Sequence, residues 1–464
     1  MLNLLNTLDR NHYHLITYLN SDQKPHASIA DLSKHCKCSE KTIYTYLDQI
    51  AQEWEPLLII EKDNGRYYVN AYNQKINEQV LRTFLMRSLA ISLFIDIIKH
   101  PKTSNEDRMT QFYISESTFY RTLRTMNQEF ASSAIQFQRN GNRPVSIISD
   151  QEHYIRKFVT CLVLELYGTE NLDDILQINT EAAKTMICNV FDQKGIYHDS
   201  LTLVFSVILF VISELREQQG FHSNLVITPA TLVETVDFSD VFKGHRDYEV
   251  KRCMKSLSEV MYYHTHVLEP NVTKQFTDAF LIELMQTHHY ALSSNTQAFM
   301  SLIHRTLLNN YTLYPFKTSL FIDRIAEFMK AFNAEHPQLR RDVYQALIST
   351  NSMISLDPNL YLDDFLYWTI MNCPEILERT PRIKRVLIYS DLGTQHASYI
   401  RDDLMSRFQL DPMQIKIDCI SYFELNSMDY DLCIGNTPSF DDVILIDDYP
   451  TQKQYITILE KLFF

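Results

Sequence analysis

A ten-residue stretch occurs twice, and this duplication constrains the fold more than any other feature of the chain. Cys38-Ser39-Glu40-Lys41-Thr42-Ile43-Tyr44-Thr45-Tyr46-Leu47 is echoed 76 positions later by Ile114-Ser115-Glu116-Ser117-Thr118-Phe119-Tyr120-Arg121-Thr122-Leu123. Ser, Glu, Thr, Tyr and Leu recur in step, and the same offset carries Asn64-Gly65 onto Asn140-Gly141. A short motif followed at a fixed distance by a polar turn implies one small module, duplicated.

Each copy reads as a winged helix-turn-helix. In the first, residues 11–20 place Leu15, Tyr18 and Leu19 on a helical pattern, and a second helix is expected over 28–35 with Ile29 and Leu32 inward. Ser39 reads as an N-cap whose hydroxyl accepts an orphan backbone N–H, with Glu40 favouring the positive helix end. Over residues 40–50, Ile43, Leu47 and Ile50 share one face, while Lys41, Thr42, Thr45, Asp48 and Gln49 point away. Residues 57–60 read as a strand, 63–65 as a type I′ turn and 67–69 as the returning strand. The second copy repeats the plan with one apolar helix over 85–98, a polar break at His100-Pro101, a short helix from about Ser104 and a cap at Ser115. Phe119, Leu123 and Met126 take its core face, and Ser117, Thr118, Arg121, Arg124 and Thr125 its outer face. Its wing spans 137–148 and turns at Asn140-Gly141, beside Arg139 and Arg143.

A helix presenting short polar and basic side chains fits the ~12 Å major groove, where Arg pairs with guanine edges and hydroxyls meet phosphates. The candidate DNA contacts are Ser39, Lys41, Thr42, Thr45, Gln49 and Arg66 in the first copy. In the second they are Ser115, Ser117, Thr118, Arg121, Arg124, Thr125, Arg139 and Arg143. A polar outer face is often only a solvated face, but two in-register copies, each with a wing, favour an interface. With two arginines against Lys41 and Asp48, the second helix is expected to bind more strongly than the first.

Charge permits this without demanding it. Net charge is −14 over 464 residues, but residues 1–150 carry 17 Lys/Arg and 16 Asp/Glu, so the acidity lies in the remainder. Only 8 glycines occur, against a usual ~7% of residues, which favours a mainly helical protein. From about 150 to 373 the chain is a succession of amphipathic helical segments, the most apolar at 201–212. That run is too short to span a bilayer, which takes ~20 residues. With no secretory signal pattern at the N-terminus, a soluble cytoplasmic protein is expected. The 8 cysteines (36, 38, 161, 188, 253, 373, 419, 433) lack paired CxxC spacing and read as buried free thiols. No cofactor, metal site or catalytic constellation is expected. His264-Thr265-His266 and His288-His289 read as helix-surface or interface residues.

After Thr380-Pro381 the pattern changes. Strand-like runs at 385–390, 415–420, 430–434 and 443–446, with a helix over 395–408, indicate a small α/β domain with a mainly parallel sheet. A ligand would sit past the strand ends, near residues 390–396, but Ser390-Asp391-Leu392-Gly393 supports nucleotide binding poorly.

Two winged helices, a helical middle and a terminal α/β domain, in that order, resemble the Mga/AtxA family of Gram-positive transcription regulators. Residues 39–47 and 115–123 match its paired helix-turn-helix modules most firmly. The resemblance implies a mainly α, multidomain chain: winged helix-turn-helix modules at 1–72 and 73–150, all-α phosphotransferase-system regulation domains at 160–285 and 286–378, and a IIB-like α/β domain at 381–464. Arg216 and Gly220 look like the arginine and glycine closing the first regulation domain's signature helix, yet the usual histidine position is Leu209. In the second, residues 357–366 resemble the signature, and the expected histidine falls at Trp368-Thr369. Any regulatory histidine phosphorylation would then pass to His198, His222 or His288. The IIB-like tail has Ser390 where the phosphorylated cysteine is expected, and a serine cannot replace a thiolate as phosphoryl carrier without a base beside it. The domain reads as retired from catalysis and used for dimerisation or sensing.

The expected partners are double-stranded promoter DNA, a second copy of the chain through the C-terminal domain, and phosphocarrier proteins of the phosphotransferase system, with no membrane. The expected function is a DNA-binding transcription regulator rather than an enzyme. The alternatives are a phosphotransferase component and an RNA-binding antiterminator, whose small all-β N-terminal module the helical pattern disfavours.

Overall fold

The computed structural model describes residues 2–463 apart from 22–25, 70–73, 140, 142, 169–171, 197, 224, 226–235, 244–247, 266–269, 287–299, 301–303, 305–306, 309–310, 312–313, 315–316, 355, 373–376, 378–383, 409, 411–414, 425–429 and 439–442. The chain divides into two compact units: residues 1–274 with 301–335 and 354–365, and residues 275–300 with 336–353 and 366–464.

The first unit opens with α1 (Thr7–Leu19), β1 (Ala27–Ser28), α2 (Ile29–Cys36), α3 (Glu40–Trp54), β2 (Ile60–Asp63) and β3 (Arg66–Val69). Ser28 starts α2 with a full capping box, its hydroxyl taking the Asp31 N–H while the Asp31 carboxylate takes the Ser28 N–H. The three strands pair antiparallel in the order β1-β3-β2. Asn64 and Gly65 both sit at positive φ (47° and 78°), as a type I′ turn requires. The strand expected over 57–60 begins only at Ile60: Leu58 drops into the core while Leu57 and Ile59 stay exposed.

The second module comprises α4 (Gln74–Met86), α5 (Leu89–Lys99), α6 (Asn105–Gln111), α7 (Glu116–Glu129), β4 (Gln136–Gln138) and β5 (Ser146–Ile148), the strands pairing antiparallel. The single apolar helix expected over 85–98 is two helices. The Ser88 hydroxyl accepts the Ile91 N–H (3.3 Å) and restarts the chain as α5. Arg87, between them, is drawn to Asp9 (3.0 Å) at the start of α1 and to Glu53 (2.5 Å) near the end of α3.

Next along the chain come α8 (Glu152–Tyr167), α9 (Leu172–Leu176), α10 (Thr180–Lys194), α11 (Ser200–Gln218), α12 (Ser239–Phe242), α13 (Val250–Thr265) and α14 (Pro270–Gln286). One continuous apolar core runs through both modules and into α8, α10, α11 and α13. Phe94 of α5 meets Phe137 of β4 and Phe158 of α8, each at 5.6 Å between ring centres. Phe130 closes the set against Phe158 at 4.9 Å. Such aromatic groupings add about 0.5–1.5 kcal/mol per pair beyond their burial, so the second module is fastened to α8 rather than tethered by a linker. Further along come α15 (Arg324–Glu335), α16 (Pro337–Thr350) and α17 (Pro358–Asn372). Pro270, Pro337 and Pro358 open helices, because the first helical position needs no N–H.

In the second unit the tail forms β6 (Lys384–Ser390), α18 (Thr394–Phe408), β7 (Ile415–Ser421), β8 (Leu432–Gly435), β9 (Val443–Leu445) and α19 (Gln452–Phe463). All strand pairs are parallel, in the order β7-β6-β8-β9. Val386, Ile388, Ile400, Leu404, Ile434 and Tyr455 make its core. Gly435 is required there: a Cβ would overlap the Tyr389 ring. Among the described residues no helix is long and apolar enough to cross a membrane.

Candidate nucleic-acid interface

Both presumed recognition helices start from a serine clasp. Ser39 Oγ accepts the Thr42 N–H (3.2 Å) and Ser115 Oγ the Thr118 N–H (3.3 Å). Each hydroxyl also meets the threonine Oγ1 three residues on, at 2.8 and 3.0 Å. Ser39, Thr42, Ser115 and Thr118 thus share their polar groups with the helix ends, which leaves the N-termini ordered and facing outward.

On α3, Ile43, Leu47, Ile50 and Trp54 are buried, and Lys41, Thr45 and Gln49 are exposed. On α7, Phe119, Leu123 and Met126 are buried, Ser117, Arg121 and Arg124 are exposed, and Thr125 is half-buried. Thr45 and Thr125 turn their hydroxyls back to the Lys41 and Arg121 carbonyls (3.2 and 3.1 Å). Arg66, Arg139 and Arg143 are exposed on the wings. Asn140 lies outside the described residues, while Gly141 takes φ +60°.

The wing of the second module is pinned by two asparagines the sequence reading did not single out. Asn127 on α7 donates to the Phe137 carbonyl (3.0 Å) and accepts the Phe137 N–H (2.6 Å). Asn105 on α6 donates to the Arg143 carbonyl (3.2 Å) and accepts the Val145 N–H (2.9 Å). Arg139 lies over the Tyr120 ring at 4.4 Å, a cation–π contact that parks a wing cation beside α7. Tyr44, the in-step partner of Tyr120, is 47% exposed, and Tyr113, just before the Ser115 cap, is 95% exposed. The repeated tyrosine is thus exposed in the first copy and half-buried against the core in the second. The only sequence signal for this was its place one residue after Ile43 and Phe119.

Arg108 is not part of this face. It is buried, with Nε donating to Asp96 Oδ2 (2.7 Å) and a terminal nitrogen to the His100 carbonyl. It fixes α6 against α5.

The histidine candidates divide. His222 follows α11 with its side chain 66% exposed and Nδ1 2.6 Å from Glu217 Oε2. His198 is half-buried near Cys188 and Asp192, and His288 lies outside the described residues, as do His266 and His289. His264, expected at a helix surface or an interface, is buried, as are His153 and His304. Leu209 is fully buried in α11, so no side chain there is open to a protein phosphodonor. Arg216 of α11 forms a two-pronged pair with Glu152 (2.7 and 2.9 Å). Of the described cysteines, Cys36, Cys161 and Cys253 are buried, but Cys38, Cys188, Cys419 and Cys433 are only half-buried.

In the tail, Ser390 does have a base beside it. Nε2–H of His396 donates to the Asp448 carbonyl (2.8 Å), which leaves Nδ1 to accept from the Ser390 hydroxyl (2.8 Å). Leu392 N–H donates to the same hydroxyl (3.0 Å). Ser390 is fully buried, and Asn436 crosses the strand ends to Asp391 and Asp448. The crevice past the strands is thus laced shut by the chain's own side chains.

Residues 73–163 match the family model described as the Mga helix-turn-helix domain. The match runs into α8 as far as Phe158 and beyond, the stretch whose aromatic rings complete the second module's core. No curated protein matches the chain.

Proposed function

We propose, from the premise that the chain belongs to the Mga family of DNA-binding transcription regulators, that it grips promoter DNA with α3 and α7 together, α7 supplying most of the affinity. The observation that carries this is the arrangement on the second module. Exposed Ser117, Arg121 and Arg124 stand on one helix whose wing, pinned by Asn127 and Asn105, holds exposed Arg139 beside it. Lys41, Thr42, Thr45, Gln49 and Arg66 make the lighter contact.

Fluorescence-anisotropy titrations on promoter fragments at several salt concentrations test the reading. Affinity should fall steeply with salt as phosphate counterions are released. Arg121→Ala with Arg124→Ala should weaken binding by about 2–3 kcal/mol, roughly 30- to 150-fold, and lower the salt slope by about two charges. Lys41→Ala with Thr45→Ala should cost less than about tenfold. Salt-independent binding, or equal losses in the two pairs, contradicts the assignment.

The helical segments 160–285 and 286–378 serve as regulation domains coupling carbohydrate state to DNA binding, in the cytoplasm, through phosphocarrier proteins. His222 is the best-placed acceptor. A phosphoryl group there sets up to two negative charges beside Glu217 and so strains the carboxylate–arginine network at the end of α11.

The tail at 381–464 serves for dimerisation. Large apolar side chains stand exposed on it: Phe423, Tyr449, Leu392, Leu445, Tyr399 and Ile456. Apolar surface of this kind is normally covered in an assembly. Sedimentation of the full chain should give a dimer, and Phe423→Asp with Tyr449→Asp should weaken it at least about tenfold. A monomeric parent, or a double variant that dimerises equally well, removes the tail as the interface.

A further inference from the structure

We propose that Cys188, Asp192 and His198 form a three-ligand site for a zinc ion at the C-terminal end of α10, with the fourth coordination position open to water. Cys188 and Asp192 are four residues apart on α10 and so share one face. The helix stops at Gly195, in the left-handed conformation (φ +61°), and the Ile196 N–H caps the Phe191 carbonyl at 2.9 Å. That reversal brings His198 back over the last turn. Cys188 Sγ is 3.4 Å from His198 Nε2 and 3.7 Å from Asp192 Oδ2, and His198 Nε2 is 3.7 Å from Asp192 Oδ1.

Both thiol distances also suit weak hydrogen bonds of sulfur, and the third separates two readings. A histidine–aspartate hydrogen bond needs about 2.7–3.2 Å, and 3.7 Å is too long for one. Zinc bonds of about 2.3 Å to sulfur and 2.0–2.2 Å to nitrogen and oxygen, at tetrahedral angles, separate the ligand atoms by about 3.4–3.6 Å. Sγ and Nε2 lie at that separation, and Asp192 offers Oδ2 on the cysteine side and Oδ1 on the histidine side, each at 3.7 Å, with one ligand atom from each residue within 4.8 Å of the others. The imidazole is also oriented for it. Nδ1 lies 3.1 Å from the Ile196 carbonyl, an oxygen that can only accept, so Nδ1 carries the proton and Nε2 turns its lone pair toward Cys188 and Asp192. The Phe191 ring stands 5.7 Å from the imidazole and walls the site on the core side. A thiolate, an imidazole and a carboxylate together suit zinc better than magnesium or calcium, which take oxygen ligands.

An ion here would tie α10 to the start of α11, whose N-cap, Asp199, is the residue after His198 and accepts the Thr202 N–H at 2.7 Å. Occupied, His198 offers no nitrogen to a phosphodonor. The site stands independently of the DNA-binding reading, because its test reads metal coordination directly.

The test is a titration of the reduced, chelator-stripped full chain with cobalt(II), a spectroscopic substitute for zinc. One equivalent should give the intense visible bands of tetrahedral cobalt and one thiolate-to-cobalt charge-transfer band, both erased by one equivalent of zinc. Cys188→Ser should abolish the charge-transfer band, His198→Ala should cut affinity at least about 100-fold, and Asp192→Asn about tenfold or more. The other seven of the 8 cysteines remain in Cys188→Ser, so the loss identifies the ligand. Should a variant fail to fold, X-ray absorption of the zinc-loaded parent should find a single sulfur neighbour at about 2.3 Å with nitrogen and oxygen completing the shell. Absence of tetrahedral bands in the parent, their survival in folded Cys188→Ser, or a zinc shell with no sulfur or several, each overturns the proposal.

Discussion

Replacing Arg156 with alanine is expected to cost the protein about 3–5 kcal/mol of stability, the penalty for stranding buried charge. Arg156 has no exposed surface. One terminal nitrogen donates to Glu259, the other to Glu217 Oε1 (2.8 Å) and the Phe221 carbonyl (2.7 Å). Glu152 stands 3.4 Å from its Nε. One guanidinium from α8 thus holds carboxylates from α11 and α13, the two helices that pack beside it. Burial would raise the Glu217 carboxyl, but hydrogen bonds from Lys255, Arg156 and His222 outweigh burial and hold it at about 2. Glu259 lies deeper, and there burial wins: its carboxyl is pushed upward despite the same guanidinium. Removing Arg156 leaves both without their common counter-ion. Arg156→Lys should rescue only part of the loss, because an ammonium cannot span three acceptors in a planar fork. Urea unfolding at pH 7 measures it. A shift below about 1 kcal/mol would mean that water reaches the cluster and the charges are not buried together.

Three buried histidines should pull stability down between pH 6.5 and pH 5. His153, His264 and His304 are buried, and burial lowers their pKa values to about 4, about 3 and about 3. In the unfolded chain the same rings titrate near 6.5. Between those values the unfolded state binds more protons, so the contribution is complete above about pH 6.5 and is lost as pH falls toward the folded values. Each ring costs about 1.4 kcal/mol per pH unit across that window. Glu165 works in the opposite direction. Burial raises its carboxyl to about 7 against the backbone N–H groups of Leu320 and Phe321, so the folded state takes up a proton there in the same range. His12, also buried and lowered, adds to the rings, while Glu259 and Asp364, carboxyls raised by burial, oppose them alongside Glu165, so the loss from the rings is partly offset. Urea midpoints at several pH values measure the slope, and His304→Gln should remove one proton from it. A slope that His304→Gln leaves unchanged contradicts the burial of that ring.

Local features were legible because their causes are local. Ser39 and Ser115 cap helices through groups three residues away, Asn64-Gly65 makes its own turn, and the parallel strands of the tail follow from apolar runs between helices. What the sequence misplaced depended on distant partners. β1 is two residues long and is a strand only because β3 pairs with it. The break at Ser88 interrupts a run that reads as one helix, and its neighbour Arg87 is paired with Asp9 and Glu53. The base beside Ser390 arrives from six residues on, in the first turn of α18, with its tautomer set by a carbonyl 52 residues further along.

By itself, then, the sequence determined a duplicated module of helices and a hairpin, its caps, its polar outer faces and the asymmetry between Thr45 with Asp48 and Arg121 with Arg124. These rest on periodicity and on hydrogen bonds that close within a turn. The tertiary structure alone decided that the second module shares a core with α8, that Asn127 and Asn105 fix its wing, and that Arg139 settles over Tyr120. It alone brought Cys188, Asp192 and His198 to one point. Side chains ten residues apart meet only where the backbone reverses, and the reversal at Gly195 is held by a hydrogen bond and by apolar burial that no spacing rule contains.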